Sequence, residues 1–257
     1  MSTKPLILIT NDDSLHARGI QALIESLRTL GDIVVVAPDS PRSAQSSALT
    51  VTSPVRVGKT HEEDGVTVYR CNGTPADCVK IALKRILPRK PDLLVSGINH
   101  GTNASISVIY SGTVGATLEG CIGGIPSIGM SLCDYSPHAD FGDAAKYARI
   151  IAKNVLQNAL PKNVCLNVNV PAGVEIKGVK ICTQADGIWV EDFIHREDPL
   201  GKSYYWLTGH FKNLEPENTA TDEWALANGY VSIVPVKINM TATEYIEALK
   251  TWNYELE

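Results

Sequence analysis

Residues 6–38 read LILITNDDSLHARGIQALIESLRTLGDIVVVAP. Leu6–Thr10 is apolar, brief and ended abruptly by polar residues, the pattern of a short strand buried on both faces. Ile20, Leu23, Ile24, Leu27 and Leu30 then recur at helical spacing, and Gly31 follows as a stop signal. Ile33–Ala37 is a second, β-branched run closed by Pro38. Strand, helix and strand in that order predict a right-handed βαβ unit and therefore a parallel sheet.

The alternation continues along the chain. Val66–Cys71 reads as a strand. Thr74 is placed to cap a helix that has Pro75 at its first position, Asp77 in its first turn, and Val79, Leu83, Ile86 and Leu87 along its length. Asp92–Ser96 is another buried strand, and Thr113–Cys121 a helix entered through Ser111-Gly112. Ile125–Leu132 reads as a strand, Asp143–Leu160 as an amphipathic helix and Val164–Val170 as a strand. After about Val179 the texture changes. Strand-like pieces (Val179–Thr183, Tyr204–Leu207, Tyr230–Pro235) are separated by charged, loop-like stretches (Glu191–Lys202, Lys212–Glu223), and Thr243–Trp252 closes as a helix. The expectation is an α/β core over residues 1–179, with a mostly parallel sheet flanked by helices, and a β-rich C-terminal extension over residues 180–257.

Composition agrees with a packed core. The 257 residues are 44% hydrophobic and 20% charged, which excludes a disordered chain or a disulfide scaffold. The formal charge of -5 lacks the basic footprint that duplex nucleic acid requires. No apolar run is long enough to span a bilayer, and MSTKPLILIT is too short for a secretory signal. The six cysteines are scattered without a C-x-x-C pair, so buried, reduced thiols and a cytoplasmic setting are expected, with no membrane partner.

Four polar motifs stand out against this background. Asn11-Asp12-Asp13-Ser14 follows the first strand. Adjacent carboxylates repel, which favours a cation beside them, and hard oxygen ligands suit Mg²⁺ or Mn²⁺; a turn with a helix cap is the plainer reading. Ala37–Ser43 (APDSPRS) follows the second strand, with Arg42 able to neutralise an anion and Ser43 offering a hydroxyl. Ser96–Asn103 (SGINHGTN) follows the DLLVS strand, where Gly97 and Gly101 let backbone approach a ligand and Asn99 and Asn103 offer uncharged amides. Tyr110–Thr113 (YSGT) opens a helix, a ready anion site or simply a Ser111 cap.

Three of these motifs follow predicted strands directly, and ligands of an open parallel sheet bind outside the carboxyl ends of its strands. A metal and an anion pocket at one edge point to phosphoester hydrolysis by a metal-activated water. No P-loop, no G-x-G-x-x-G after the first strand and no G-x-S-x-G elbow is present.

The blocks ILITNDDSLHARGIQAL, VVVAPDSPRSAQS, GTPADCV, DLLVSGINHGTN, IYSGTVGATLEG and GYVSIVPV, in that order, resemble the SurE family, the stationary-phase survival protein E nucleotidases. The resemblance implies a Rossmann-like core with an extended C-terminal arm. It also implies a divalent-metal-dependent phosphatase acting on nucleoside monophosphates, as a 5′- and 3′-nucleotidase, with short polyphosphate cut by some members. Carried over by motif, Asp12, Asp13, Ser43 and Asn99 are the ligands of one Mg²⁺ or Mn²⁺ per subunit, and Asn103, Ser111, Gly112 and Thr113 line the phosphate pocket. Asp12, Asp13 and Ser111 carry the catalytic roles, one carboxylate doubling as base; His100 is a candidate for the leaving-group acid. The family pattern has Gly after Asn-Asp-Asp and Pro before the next Gly; here Ser14 and Arg18 stand at those non-ligand positions. A metal- and nucleotide-binding sensor without turnover is the competing reading, and exopolyphosphatase action a second one.

The family's segment-exchanged dimers or tetramers suit the C-terminal texture. Trp189, Tyr204, Tyr205, Trp206 and Trp224 are hard to bury on a sheet already flanked by helices. A projecting arm that packs on a second subunit would cover them, whereas strands that extend the same sheet are the plainer alternative.

Overall fold

The computed structural model describes residues 4–255. Its first elements are β1 (Leu6–Thr10), α1 (Arg18–Leu27) and β2 (Asp32–Pro38), followed by β3 (Val57–Glu63), β4 (Val66–Cys71) and α2 (Pro75–Ile81). Next come β5 (Leu93–His100), α3 (Ser107–Tyr110), α4 (Gly112–Ile122), β6 (Ser127–Leu132), α5 (Gly142–Asn158) and β7 (Val164–Val170). The remainder is β8 (Gly178–Ile181), β9 (Gly187–Glu197), β10 (Ser203–Asn213), α6 (Asp222–Ala227), β11 (Tyr230–Lys237) and α7 (Ile246–Leu249).

Nine strands form one sheet in the order β3-β4-β2-β1-β5-β6-β7-β11-β8. All neighbours are parallel except β3 with β4 and β7 with β11. The pleat sends alternate side chains of β1 to opposite cores. Ile7 and Ile9 pack in the cluster that holds Ile20, Leu23 and Leu27 of α1 and Ala148 and Ile151 of α5. Leu8 packs on the other face, with Cys78 and Val79 of α2 and Ala116 of α4. Both faces of the sheet are therefore covered, as the unbroken apolar strands require. Among the described residues no helix is long and apolar enough to cross a membrane, and all six cysteines are free thiols.

Local signals explain several boundaries. Thr74 and Asp77 close a reciprocal capping box at the start of α2: Asp77 N–H donates to Thr74 Oγ1 at 3.1 Å and Thr74 N–H to Asp77 Oδ2 at 2.9 Å. The helix then continues as a π-helical turn, Ala82–Ile86.

Four expectations need correction. β3 has no counterpart in the sequence reading, because its VGKTHEE side chains are almost all exposed and carry no apolar alternation. Glu191–Lys202 is no loop over its first half: β9 pairs with β10 from Gly187↔Asn213 to Glu197↔Ser203. Both strands are exposed on both faces, so no burial pattern marks them. Lys212–Glu223 likewise includes the end of β10 and the start of α6. The predicted helix Thr243–Trp252 shrinks to a 3₁₀ turn at Thr243–Tyr245 and the four residues of α7, all exposed and too short to hold a helix without packing.

β8 and β11, from the C-terminal part of the chain, complete the main sheet, whereas β9 and β10 form a separate two-stranded hairpin. The plainer alternative, that the strands of this segment extend the same sheet, holds for β8 and β11 and fails for the hairpin. Trp206 is 65% and Phe193 61% exposed on it. Trp224 does not belong with these aromatics. It sits on α6, stacked on Tyr230 at 6.5 Å, with the Lys180 ammonium 4.6 Å from its ring centre.

Candidate metal and phosphate site

β1 is flanked by β2 on one side and β5 on the other, so the strand order reverses there. A doubly wound sheet has its ligand crevice at such a switch point, outside the carboxyl ends of the strands. Asp12 and Asp13 leave β1 at this point, and Asn99 and His100 are the last residues of β5.

The first loop is tied down on every side. Asn11 Nδ2 donates to the Ser14 carbonyl at 2.8 Å, Leu15 N–H to the Pro38 carbonyl at 2.9 Å, and Arg42 N–H to the Asp12 carbonyl at 2.7 Å. Ser14 has φ 91°, a left-handed conformation that costs a residue with a Cβ on the order of 1 kcal/mol and explains the glycine of the family pattern.

Asp12 is 5% exposed and faces the start of α4. Thr113 Oγ1 donates to Asp12 Oδ1 at 2.5 Å. A Cβ on Gly112 would stand 2.8 Å from Asp12 Oδ2, so only glycine lets helix and carboxylate come this close. Burial pushes the Asp12 carboxyl up to about 6, with the Thr113 hydrogen bond opposing and the Asp13 charge adding to the rise. Asp13 is also raised by burial, against the His100 N–H that donates to its Oδ2 at 3.0 Å.

The other residues singled out by the sequence divide into two groups. Asn99 reaches the same strand end: its Nδ2 donates to the Gly101 carbonyl at 2.8 Å, which leaves Oδ1 as its unspent acceptor among the described residues. Ser43 is exposed and directly follows Arg42, the residue held on Asp12. Ser111 caps α4, accepting Val114 N–H at 3.1 Å, and its own hydroxyl proton stays available. Thr113 is committed to Asp12. Asn103 is buried and donates through Nδ2 to Ser131 Oγ at 2.8 Å, while its N–H binds Asn169 Oδ1 and its carbonyl accepts from Asn167 Nδ2. This polar bed of Ser131, Asn167 and Asn169 under the loop was missed from sequence, although LNVNV, with two asparagines inside a buried strand, is its signal.

Three further details differ from expectation. The SGINHGTN motif does not follow β5 but lies partly inside it, across a break in β5–β6 register between Ser96 and Asn99. The room at Gly97 and Gly101 is used by the chain itself, by the Met130 carbonyl and the Tyr135 ring. The Arg42 guanidinium donates to the Asn72 carbonyl at 2.9 Å and its charge faces the Asp39 carboxylate at 3.8 Å, so it is spent within the chain. His100 Nε2 lies 2.6 Å from the Ser136 carbonyl; a carbonyl only accepts, so Nε2 donates there.

The residues present fit a hard cation. Asp12 is buried beside a second carboxylate, and neither forms an ion pair among the described residues. No cluster of three or more His, Cys, Asp or Glu side chains is placed to hold a metal among those residues, so a cation here needs neutral oxygens as well. Asn99 Oδ1 and the Ser43 hydroxyl are such donors, and an all-oxygen set suits Mg²⁺ or Mn²⁺.

Fold and site define a class: a doubly wound α/β protein whose switch point sets paired carboxylates against a helix N-terminus. A family model described as Survival protein SurE matches residues 7–191, and the chain belongs to that family. Proteins named 5′-nucleotidase SurE are similar over nearly the whole chain. That of Bacteroides fragilis is 54% identical over 249 residues, covering 97% of this chain and 98% of its own. That of Phocaeicola vulgatus is 49% identical over 253 residues, covering 98% of each. The crystal structure of the SurE protein from Aquifex aeolicus superposes with a TM-score of 0.82 at 38% identity, covering 96% of this chain and 98% of that one.

Proposed function

We propose that the protein is a metal-dependent nucleotidase that hydrolyses the phosphomonoester of 5′- and 3′-nucleoside monophosphates at the Asp12–Asp13 strand end. The observation that carries this reading is Asp12 pressed against the first turn of α4, with Gly112 clearing the space and Thr113 holding the carboxylate. A negative side chain and the positive end of a helix dipole then frame one site, where a phosphate and its counter-cation belong together.

Asp12, Asp13, Ser43 and Asn99 would hold the cation, Mg²⁺ or Mn²⁺, one per subunit. Bound there, it supplies Lewis-acid charge at a phosphoryl oxygen and acidifies a water. The Gly112 N–H and the Ser111 hydroxyl donate to the remaining phosphoryl oxygens, and Asn103 closes the pocket from the loop before α3. Thr113 acts through Asp12, fixing its rotamer. Asp13 keeps one oxygen free of hydrogen bonds among the described residues and accepts the proton of the attacking water. The water oxygen bonds to phosphorus, the P–O ester bond breaks, and the nucleoside oxygen takes up a proton. His100, whose backbone N–H already meets Asp13, is the candidate for that last transfer.

The test is phosphate release over a panel of nucleoside monophosphates, with inorganic polyphosphate alongside, in Mg²⁺, in Mn²⁺ and after chelation. Release from the monophosphates that chelation abolishes and Mn²⁺ or Mg²⁺ restores supports the reading. Tight nucleotide binding without release favours a sensor, and faster release from polyphosphate favours an exopolyphosphatase. The free thiols suit a reducing, cytoplasmic setting.

A further inference from the structure

Beside Asp13, on the sheet face covered by α1 and α5, a cavity of about 400 Å³ opens next to the proposed cation position. Its lining is of two kinds. Phe141 and Pro137 give it an apolar side, and Arg18, His16 and His100 give it a basic and polar one; Asp13 is its single carboxylate. Arginines Arg28, Arg42 and Arg89 are paired with carboxylates of the chain, but Arg18 is not among the ion pairs of the described residues. Its guanidinium is thus an uncommitted fork of donors, suited to bidentate contact with a phosphate.

A second observation points the same way. α1 begins at Arg18 with Ala17 as its N-cap, without a side-chain cap and without an acidic residue in its first turn. Ala17, Arg18 and Gly19 all line the cavity, so the uncompensated positive end of this helix opens into it. Asp13 does not cancel this charge, since in the proposed function it faces the cation.

We propose that this cavity receives the nucleoside part of the substrate and that Arg18, with the open end of α1, holds a second phosphate on it. The preferred substrate class is then the nucleoside bisphosphate, with one phosphoryl group at α4 and the other at Arg18. Water breaks the P–O bond of the first, and inorganic phosphate and a nucleoside monophosphate leave. The inference rests on the nucleotidase reading but adds a specificity that reading does not require.

The test compares wild type with Arg18→Gln on adenosine 3′,5′-bisphosphate and on AMP. Arg18 is exposed on the first turn of its helix, so the variant keeps the fold. Expected is a kcat/KM about 10-fold or more higher for the bisphosphate in wild type, lost in Arg18→Gln through KM, with AMP turnover unchanged. Calorimetric titration of the Mn²⁺-loaded protein with non-hydrolysable phosphonate analogues of the two ligands should show the same loss in bisphosphate affinity and none for the AMP analogue. AMP turnover without any bisphosphate preference, or equal effects of the variant on both ligands, overturns the proposal and leaves the nucleotidase reading intact. No AMP turnover sinks that reading; the calorimetric comparison then decides on Arg18, and equal affinities in wild type and variant overturn it.

Discussion

Thr113 donates its hydroxyl to Asp12, whereas the motif alone assigns that hydroxyl to phosphate. Thr113→Ala should therefore weaken Mn²⁺ activation roughly 10–100-fold, and Thr113→Ser should retain it, as a metal titration of activity would show. A phosphate-binding hydroxyl would instead change inhibition by free phosphate with metal affinity intact. Asp12→Asn should abolish turnover by several orders of magnitude without lowering the melting temperature of the metal-free protein. Burial already holds the Asp12 carboxyl near 6, so removing its charge relieves a desolvation cost at neutral pH. Normal turnover of Asp12→Asn, or a collapsed fold, would contradict this. The ligand candidates were legible because they interrupt apolar strands. The bed of Ser131, Asn167 and Asn169 was not, since it joins residues far apart in sequence that meet only in the sheet.

Among the elements, α6 does more than fill a gap. Asp222, 0% exposed, accepts Ser105 N–H at 2.8 Å and Ala185 N–H at 3.0 Å, tying the loop before α3 to the root of the hairpin. Its neighbour Glu223 is pushed up to about 7 by burial and then by the Asp222 charge. A folded-state value raised above the ordinary 4.5 means that the neutral form is favoured on folding. The stability this contributes is present in full below the ordinary value and is lost as pH rises through about 7. Urea unfolding of wild type and Glu223→Gln should give similar midpoints at about pH 5, with the variant more stable at about pH 8. Parallel pH dependence in both would remove Glu223 from the account. The parallel core was readable because β1, β2 and β5–β7 are buried runs punctuated by caps and glycines. β3 and β9 were not, because a strand wet on both faces has no alternation to display.

For the whole molecule, the hairpin is the feature that a single chain leaves unexplained. Two eleven-residue strands stand apart from the main sheet with Phe193, Tyr205, Trp206 and Leu207 exposed. Two-stranded sheets are marginal in water, and an apolar patch of this kind marks an interface. The expected cover is a second copy of the chain, in a dimer or tetramer with Tyr204–Leu207 in the contact. Light scattering at micromolar concentration should report that assembly, and a monomer would reject it. A variant lacking Glu191–Leu207 that still dimerises would move the interface elsewhere.

The central claim is that the switch-point edge of the sheet holds a divalent cation on Asp12, Asp13, Ser43 and Asn99, beside a phosphate at the start of α4. Its most direct test is the anomalous difference map of crystals grown with Mn²⁺ and inorganic phosphate. The account predicts one strong manganese peak per subunit within bonding reach of Asp12 and Asp13, and a phosphate on Ser111 and Gly112. Manganese bound elsewhere, or phosphate absent from the α4 terminus while manganese is present, would contradict it.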